Sequence, residues 1–376
     1  MYFHLILTDD CNLCCSYCRA KAFEDDEEPT PGENASVEVD LDLSPDLNYD
    51  LELLYRFLGK DPAPTLTFYG GEPLLRCDLI KTIMRSVPDC RFMIQTNGIL
   101  LDRLDPELVN RFSTILVSLD GKESLTDANR GVGVYRRVMK NIQKIHNNGY
   151  RGELIARITV TEHTDIVDAI HYLSDNPDYS FSSIHWQIDA NFSPDFSHRH
   201  FAEWVNDSYN PGIRTLVQEW VDHMQETAEV LHLYPFIDPM EDLLVKKPSL
   251  LRCGSGHENY TILTDGHIVP CPVMIGMKQY YLGHIAKSNP LELPVVPVGG
   301  ECISCKIRSF CGGRCLYSNI TQPWSAAHRQ LVCKTVENLH DALFTALPRV
   351  RALIHEGKIT LSSFAHEKFN GCEIIP

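Results

Sequence analysis

Six short β-rich runs, separated by stretches of helical period, fall inside the first 190 residues and restrict this chain to an α/β fold. The runs are Tyr2–Leu7, Thr65–Tyr69, Arg91–Gln95, Thr114–Leu119, Leu154–Val160 and Ser183–Ile188. In "VYRRVMKNIQKIHNNG", Val134, Val138, Ile142 and Ile145 recur at steps of four, four and three, and Gly149 reads as the stop. "DIVDAIHYLSDN" behaves the same way through Ile166, Ile170 and Leu173. Alternation at this pitch calls for parallel βαβ units wound right-handed. Six strands are fewer than the eight of a closed barrel, so a partial, open barrel and a doubly wound sheet both fit.

A chain of 376 residues suits one large α/β domain plus an appendage. Its apolar fraction of 44% is enough to bury a sizeable core. No apolar run approaches the roughly 20 residues needed to span a bilayer, so no membrane partner is expected. The net charge of −16 argues against nucleic acid and reads first as a solubilising surface. "MYFHLIL" is too short for a signal peptide and lacks a basic flank, which points to a reducing, cytoplasmic setting.

Further along, "FEDDEEPTPGENASVEVDLDLSPD", Phe23 to Asp46, is acidic and reads as a solvated, partly mobile loop. Tyr49–Leu58 resumes a helix, and a longer helical stretch is expected from Phe201 to Leu233. "YPFIDPMEDLLVKKPSLLRCGSG" reads as a junction because of its prolines. Residues Cys253 to Cys333 are rich in cysteine and glycine, as a metal-stapled small domain would be, and helical character returns from Thr335 to Glu356.

The fourteen cysteines are clustered. Cys11, Cys14, Cys15 and Cys18 lie at the front, and Cys253, Cys271, Cys302, Cys305, Cys311, Cys315 and Cys333 in the last third. Short spacings in a reducing compartment read as metal ligation. In "CNLCCSYC" the spacing Cys11-x3-Cys15-x2-Cys18 offers three thiolates, enough to hold three corners of an iron–sulfur cube and leave one iron open. Spacing alone leaves open a zinc knuckle using all four cysteines, or Cys14 in place of Cys15.

"LTFYGGEPLL" then places Gly70, Gly71, Glu72 and Pro73 straight after the second strand. Paired glycines let a backbone approach a ligand closely, and Glu72 is a candidate acceptor for an ammonium group. A zinc knuckle has no use for such a turn. The cysteine triplet with Tyr17 before its last member, followed one strand later by this turn, resembles the radical S-adenosylmethionine superfamily. The resemblance implies a partial (βα)6 TIM-like barrel followed by a small Cys-rich iron–sulfur domain. It implies a [4Fe-4S] cluster on Cys11, Cys15 and Cys18 that binds S-adenosyl-L-methionine, with Gly70, Gly71, Glu72 and Pro73 around its amino group. By the same resemblance Gln95, Asn97, Ser118 and Arg157, at or near strand ends, are assigned to the nucleoside or carboxylate side, where strand-end caps and turns compete as readings. Asp120, Asp127 and Arg130 are softer candidates.

The rear pattern, Cys253-x12-Gly266-x4-Cys271 followed by Cys302-x2-Cys305-x5-Cys311-x3-Cys315 and Cys333, resembles the SPASM domain of peptide-modifying members. That resemblance implies two auxiliary [4Fe-4S] clusters, one on Cys302, Cys305, Cys311 and Cys333, the other on Cys253, Cys271 and Cys315. The fourth position of the latter is left vacant, filled by His257 or reserved for substrate. A pair of zinc ribbons is the competing reading. Cys14, Cys77, Cys90 and Cys372 are expected to be core or surface thiols.

The implied division is a catalytic barrel at 1–235, a cluster domain at 236–345 and an extension at 346–376. The implied activity is reductive cleavage of S-adenosylmethionine to a 5′-deoxyadenosyl radical that oxidatively modifies a peptide or protein, with a thioether or other crosslink as the favoured product. A flavodoxin or ferredoxin would supply electrons. Pro272 stands where sulfatase-maturing relatives place an acidic base, so no base is assigned. The first strand begins at residue 2, so leader recognition is expected from a separate protein, the acidic loop, or not at all. Two alternatives stand beside this reading: a radical enzyme acting on a small molecule or cofactor precursor, and a non-catalytic zinc or iron–sulfur protein.

Overall fold

The computed structural model describes residues 1–18, 38–189 and 199–370. Most of the acidic loop and Cys372 lie outside the described residues. In chain order the strands are β1 (Tyr2–Ile6), β2 (Thr65–Tyr69), β3 (Arg91–Thr96), β4 (Phe112–Ser118), β5 (Glu153–Val160), β6 (Ser183–Ile188), β7 (His232–Leu233), β8 (Asn259–Ile262), β9 (His267–Val269) and β10 (Gly283–His284). The first six match the expected runs to within two residues. Two compact units can be separated: residues 1–119, 123–156 and 254–297, and residues 120–122, 157–253 and 298–376.

In the first unit the strand order is β10-β9-β8-β1-β2-β3-β4. Tyr2 pairs in parallel with Thr65 of β2 on one side and Asn259 of β8 on the other. β2 pairs in parallel with β3, and β3 with β4. Strands enclosed on both faces are apolar almost throughout, and Phe3, Leu5, Leu66 and Phe68 are fully buried. Parallel pairing puts the loops after β1, β2 and β3 at one edge, the carboxyl edge, where α/β sheets bind ligands. The hairpin β8–β9 is antiparallel and joins β1 across more than 250 residues of chain.

Helices pack where the period placed them. Leu51–Leu58 starts on Asp50, whose side chain accepts from Glu52 N, and Val134–Asn147 buries Val138, Ile142 and Ile145. Residues 38–46 of the acidic stretch are tied down, contrary to a wholly solvated loop. Asp40 N donates to Gly276 O at 2.8 Å, the Tyr281 hydroxyl donates to Asp40 at 2.8 Å, and Leu43 packs on Ile6, Leu263 and Val269. Lys278, near Glu38 and Asp40, offsets the local acid charge.

The second unit corrects three expectations. The stretch from Phe201 is broken: a short helix (Phe201–Trp204) runs through a π turn (Val205–Tyr209) into the helix Asn210–Thr227, which ends at Ala228 with φ +62°. The expected junction begins as a helix, Tyr234–Val245, despite Pro235 and Pro239. Pro235 stands in the first turn, where its missing N–H costs nothing. Pro239 is interior, and packing carries it: Phe236, Ile237 and Met240 are fully buried, with Trp186 and Trp220 edge-on or tilted against Phe236 at 5.1 and 5.7 Å. The last long helix spans Ala326–His355, starting nine residues before the expected Thr335, so Cys333 lies on a helix and the helix crosses position 346 without a break. No helix among the described residues is long and apolar enough to cross a membrane.

Candidate active site and cysteine centres

The loop after β1 carries the front cysteines, and the turn after β2 is bolted to it. Gly71 N donates to Thr8 O at 2.9 Å and Glu72 N to Asp10 O at 2.8 Å. Gly70 has φ +136°, and a Cβ there would stand 2.3 Å from Thr8 O. A Cβ on Gly71 would stand 2.3 Å from Asp10 O and 2.4 Å from Asp9 O. The paired glycines therefore make room for the chain's own backbone, the segment that leads into Cys11.

Glu72 also turns inward. It is fully buried, and its Oε1 accepts from Leu74 N (3.0 Å) and from the Thr96 hydroxyl (2.8 Å), while Oε2 accepts from Asn97 N (2.8 Å). Burial pushes its carboxyl above the usual range, and these three bonds pull the other way. The carboxylate thus braces the end of β3 against the diglycine turn. Pro73 is buried and starts a short 3-10 turn, Pro73–Arg76. Arg76 reaches Asp10 at 2.9 Å and Asp46 at 2.6 Å, fixing the same loop from outside.

Asn97 joins β3 to the cysteines. Its side-chain amide donates to Asn12 Oδ1 at 2.8 Å and lies 3.8 Å from Cys11 Sγ. Desolvation of its sulfur holds the Cys11 thiol above its ordinary value, and the charges of Glu72 and Cys18 add to this. Cys18 N donates to Cys15 O at 2.9 Å, a tight turn, and Ser16 N donates to Asn129 O at 2.8 Å. The Arg130 guanidinium lies 5.3 Å from the Tyr17 ring, so the helix Glu123–Arg130 supports the far side of the loop. Asp127 is structural: its carboxylate accepts from Gly133 N and Tyr135 N at the start of the next helix. Gln95 and Ser118 are half-buried near the ends of β3 and β4. Arg157, in the second unit, donates to Gln187 at 2.6 Å, and its buried Nε has no hydrogen-bond partner. Asp120 accepts from Thr159 N. Sequence reasoning missed Thr96 and Asn12, neighbours of residues it did name.

In the second unit Cys302, Cys305, Cys311 and Cys333 are gathered. Burial pushes the Cys311 thiol to about 11, and the charges of Cys333 and Cys302 act on it. Burial likewise raises Cys333, with Cys302 and Cys305 adding to it. Arg314 offsets both. Cys253 and Cys315 are buried in the second unit, and Cys271 is buried in the first, just before the turn Pro272–Met274. None of the described cysteines is in a disulfide. Cys14 is exposed, Cys90 is buried with its thiol raised to about 12, and Cys77 faces Arg103 O. His257 is partly buried and its ring is held below its ordinary pKa by desolvation.

The donor chemistry fits iron–sulfur ligation: soft thiols, three on one loop with an amide donor at Cys11, and four gathered from the short segments at Cys302, Cys305 and Cys311 and the helix that carries Cys333. A family model described as the radical SAM superfamily matches residues 5–173. An AdoMet-dependent heme synthase of Nitratidesulfovibrio vulgaris is 29% identical over 163 residues, 41% of this chain and 39% of that protein. The chain thus spans about two fifths of the length of the curated relatives it matches first. Among solved structures, native anSMEcpe with bound AdoMet and Cp18Cys peptide superposes with a TM-score of 0.68 at 17% identity, covering 94% of this chain and 99% of that one. Streptococcus suis SuiB bound to precursor peptide SuiA gives a TM-score of 0.50 at 15% identity, covering 84% and 71%. At these identities the likeness is one of fold, the partial (βα)6 TIM-like barrel followed by a Cys-rich region.

Proposed function

We propose that this chain, whose residues 5–173 match the radical SAM superfamily model, is a SPASM-type radical S-adenosylmethionine enzyme that oxidatively modifies a peptide or protein in the cytoplasm. The observation that carries this is the gathering of Cys302, Cys305, Cys311 and Cys333 in the second unit, beyond the thiols that superfamily chemistry itself requires. Solved structures of the same fold that hold peptides support the choice of substrate class.

On this reading Cys11, Cys15 and Cys18 hold a [4Fe-4S] cluster and leave one iron for S-adenosyl-L-methionine. When bound, the pair supplies a radical that removes a hydrogen atom from the substrate. This chain's residues supply position. Gly70 and Gly71 let the two loops touch, Glu72 and Pro73 set the turn, and Asn97 holds Cys11 and Asn12. Tyr17 stacks under Arg130. Gln95, Ser118 and Arg157 are assigned to the nucleoside and carboxylate of the cofactor. Cys302, Cys305, Cys311 and Cys333 hold one auxiliary [4Fe-4S] cluster and Cys253, Cys271 and Cys315 a second, open to a substrate thiolate. The corresponding functional division is 1–235, 236–345 and 346–376, with a flavodoxin or ferredoxin as reductant.

A second reading, action on a small molecule, is favoured by the heme synthase relative. Anaerobic reconstitution, iron and sulfide counting, and detection of 5′-deoxyadenosine after reduction test the shared chemistry. Mass spectrometry of cysteine-containing peptides incubated with the reduced enzyme tests the substrate. Loss of two hydrogens from a peptide supports the first reading. 5′-Deoxyadenosine that responds to small cofactor precursors and to no peptide supports the second, and zinc without sulfide defeats both.

A further inference from the structure

Arg252 stands immediately before Cys253, and its side chain is only 4% exposed. A buried guanidinium is tolerated only when its donors are paired. Here they are divided between two groups. Nη1 donates to Asp238 at 2.6 Å and to Asp242 at 2.8 Å. Nε and Nη2 both donate to the carbonyl of Phe310, at 3.1 and 2.6 Å, and the guanidinium lies 5.3 Å from the Phe310 ring centroid. Phe310 stands immediately before Cys311. The two backbones also meet directly. Ser249 N donates to Ser309 O at 2.7 Å, and Gly312, at φ +70°, has Leu250 O 1.6 Å from where a Cβ would be.

The acids behind Arg252 are themselves held. Asp238 and Asp242 are four apart on the helix Tyr234–Val245 and face the same way. His366 Nε2 lies 3.2 Å from Asp238, while its Nδ1 lies 2.8 Å from Phe364 O. With an acceptor at each nitrogen, the surroundings favour the doubly protonated ring. Lys368 reaches Glu241 at 2.7 Å and Asp238 at 3.3 Å. Three acids therefore face three cations. Although Asp238, Glu241 and His366 converge as metal ligands might, their charge is already matched.

We propose that Arg252 is a positioning residue, a clamp that joins the Cys253 segment to the Cys311 segment so that the rear thiols are set before iron arrives. The proposal rests on the reading that these thiols hold auxiliary clusters. Lysine cannot replace it, because one ammonium lacks the fork that reaches two carboxylates and a carbonyl at once.

The test uses the full chain with Arg252→Met and Arg252→Lys, prepared anaerobically. In the unloaded protein, amide exchange across 249–253 and 309–314 should accelerate about tenfold or more in Arg252→Met, with less change elsewhere. After reconstitution, the iron and sulfide due to the rear thiols should fall by about half or more. The electron paramagnetic resonance signal of the front cluster, identified in a Cys302→Ala, Cys305→Ala, Cys311→Ala, Cys333→Ala background, should be unchanged. Arg252→Lys should restore part of the loss at most. If Arg252→Met does not accumulate, Asp242→Asn removes one acceptor and should give the same pattern at smaller size. Wild-type exchange rates across both segments overturn the clamp whatever the iron content. Iron at the front site alone in the unsubstituted chain would overturn the auxiliary-cluster reading, and the exchange rates of the unloaded protein would still decide the clamp.

Discussion

Replacing Gly71 with alanine separates two explanations of the diglycine turn. The φ of Gly71 is not in the left-handed region, so alanine meets no backbone penalty there. Its methyl would, however, stand 2.3 Å from Asp10 O and 2.4 Å from Asp9 O, where real contacts stay beyond 3.0 Å. Both obstacles are backbone, so relief needs a separation of about 0.7 Å between the turn and the cysteine loop. The bonds Gly71 N to Thr8 O and Glu72 N to Asp10 O, at 2.9 and 2.8 Å, would then lengthen past hydrogen-bonding range. Two net hydrogen bonds are worth about 1–3 kcal/mol together. That is about a 5- to 150-fold increase in amide exchange at residues 71 and 72, measured by exchange mass spectrometry or NMR on the unloaded chain. Iron retained at the front site should fall alongside. Unchanged exchange at both amides would refute the reasoning, because the turn would then have tolerated a methyl where the structure leaves no space.

Glu72→Gln keeps the volume but sets an NH2 group against the N–H of either Leu74 or Asn97. One buried donor is then unpaired, at about 1–3 kcal/mol, and exchange at one of those amides should rise while the other stays protected. Asp127→Asn halves the cap that Gly133 N and Tyr135 N share, so the first turn of the helix Val134–Asn147 should fray by about 1 kcal/mol in the same assay, with the front cysteine loop less affected. His366 gives a pH signature. Burial alone would lower its pKa, but the hydrogen bond to Asp238 outweighs this and raises it. Its stabilisation is complete below the free value of about 6.5 and is lost as pH rises through the folded value. Burial works against the Asp238 charge, yet Arg252 and His366 hold its carboxyl well below the usual range, so its contribution persists until strong acid. Exchange across 364–370, corrected for intrinsic rate, should therefore quicken on the alkaline side only, and His366→Gln should flatten that dependence.

The strands of the first half were legible because parallel β-runs and amphipathic helices write their period locally. Thr65–Tyr69 and Ser183–Ile188 were read at their observed bounds. The pairing of β1 with β8 was not legible, since nothing in a four-residue run names a partner more than 250 residues away. The helix Tyr234–Val245 was hidden by Pro239, whose local preference lost to burial around Phe236. At the site, cysteine spacing and Gly-Gly-Glu-Pro singled out two loops that the fold brings into contact. What they could not give was direction: whether a glycine faces a ligand or the chain's own Asp10, and whether Glu72 points out or toward Thr96. Arg252 had a faint signal, an arginine beside a cysteine with two aspartates four apart upstream, but only the fold brings the Phe310 carbonyl to the other donors of its guanidinium.

The flanked position of β1 sets how the front thiols can be adjusted at all. A strand laced on both edges can slide along its neighbours only in two-residue jumps of about 6.6 Å if its inward side chains are to stay inward. Small corrections to where the sulfurs sit are therefore denied to the sheet and fall to the segment that follows it, Asp9–Asp10. A single residue inserted between Asp10 and Cys11 would displace the thiols and leave the ladder untouched.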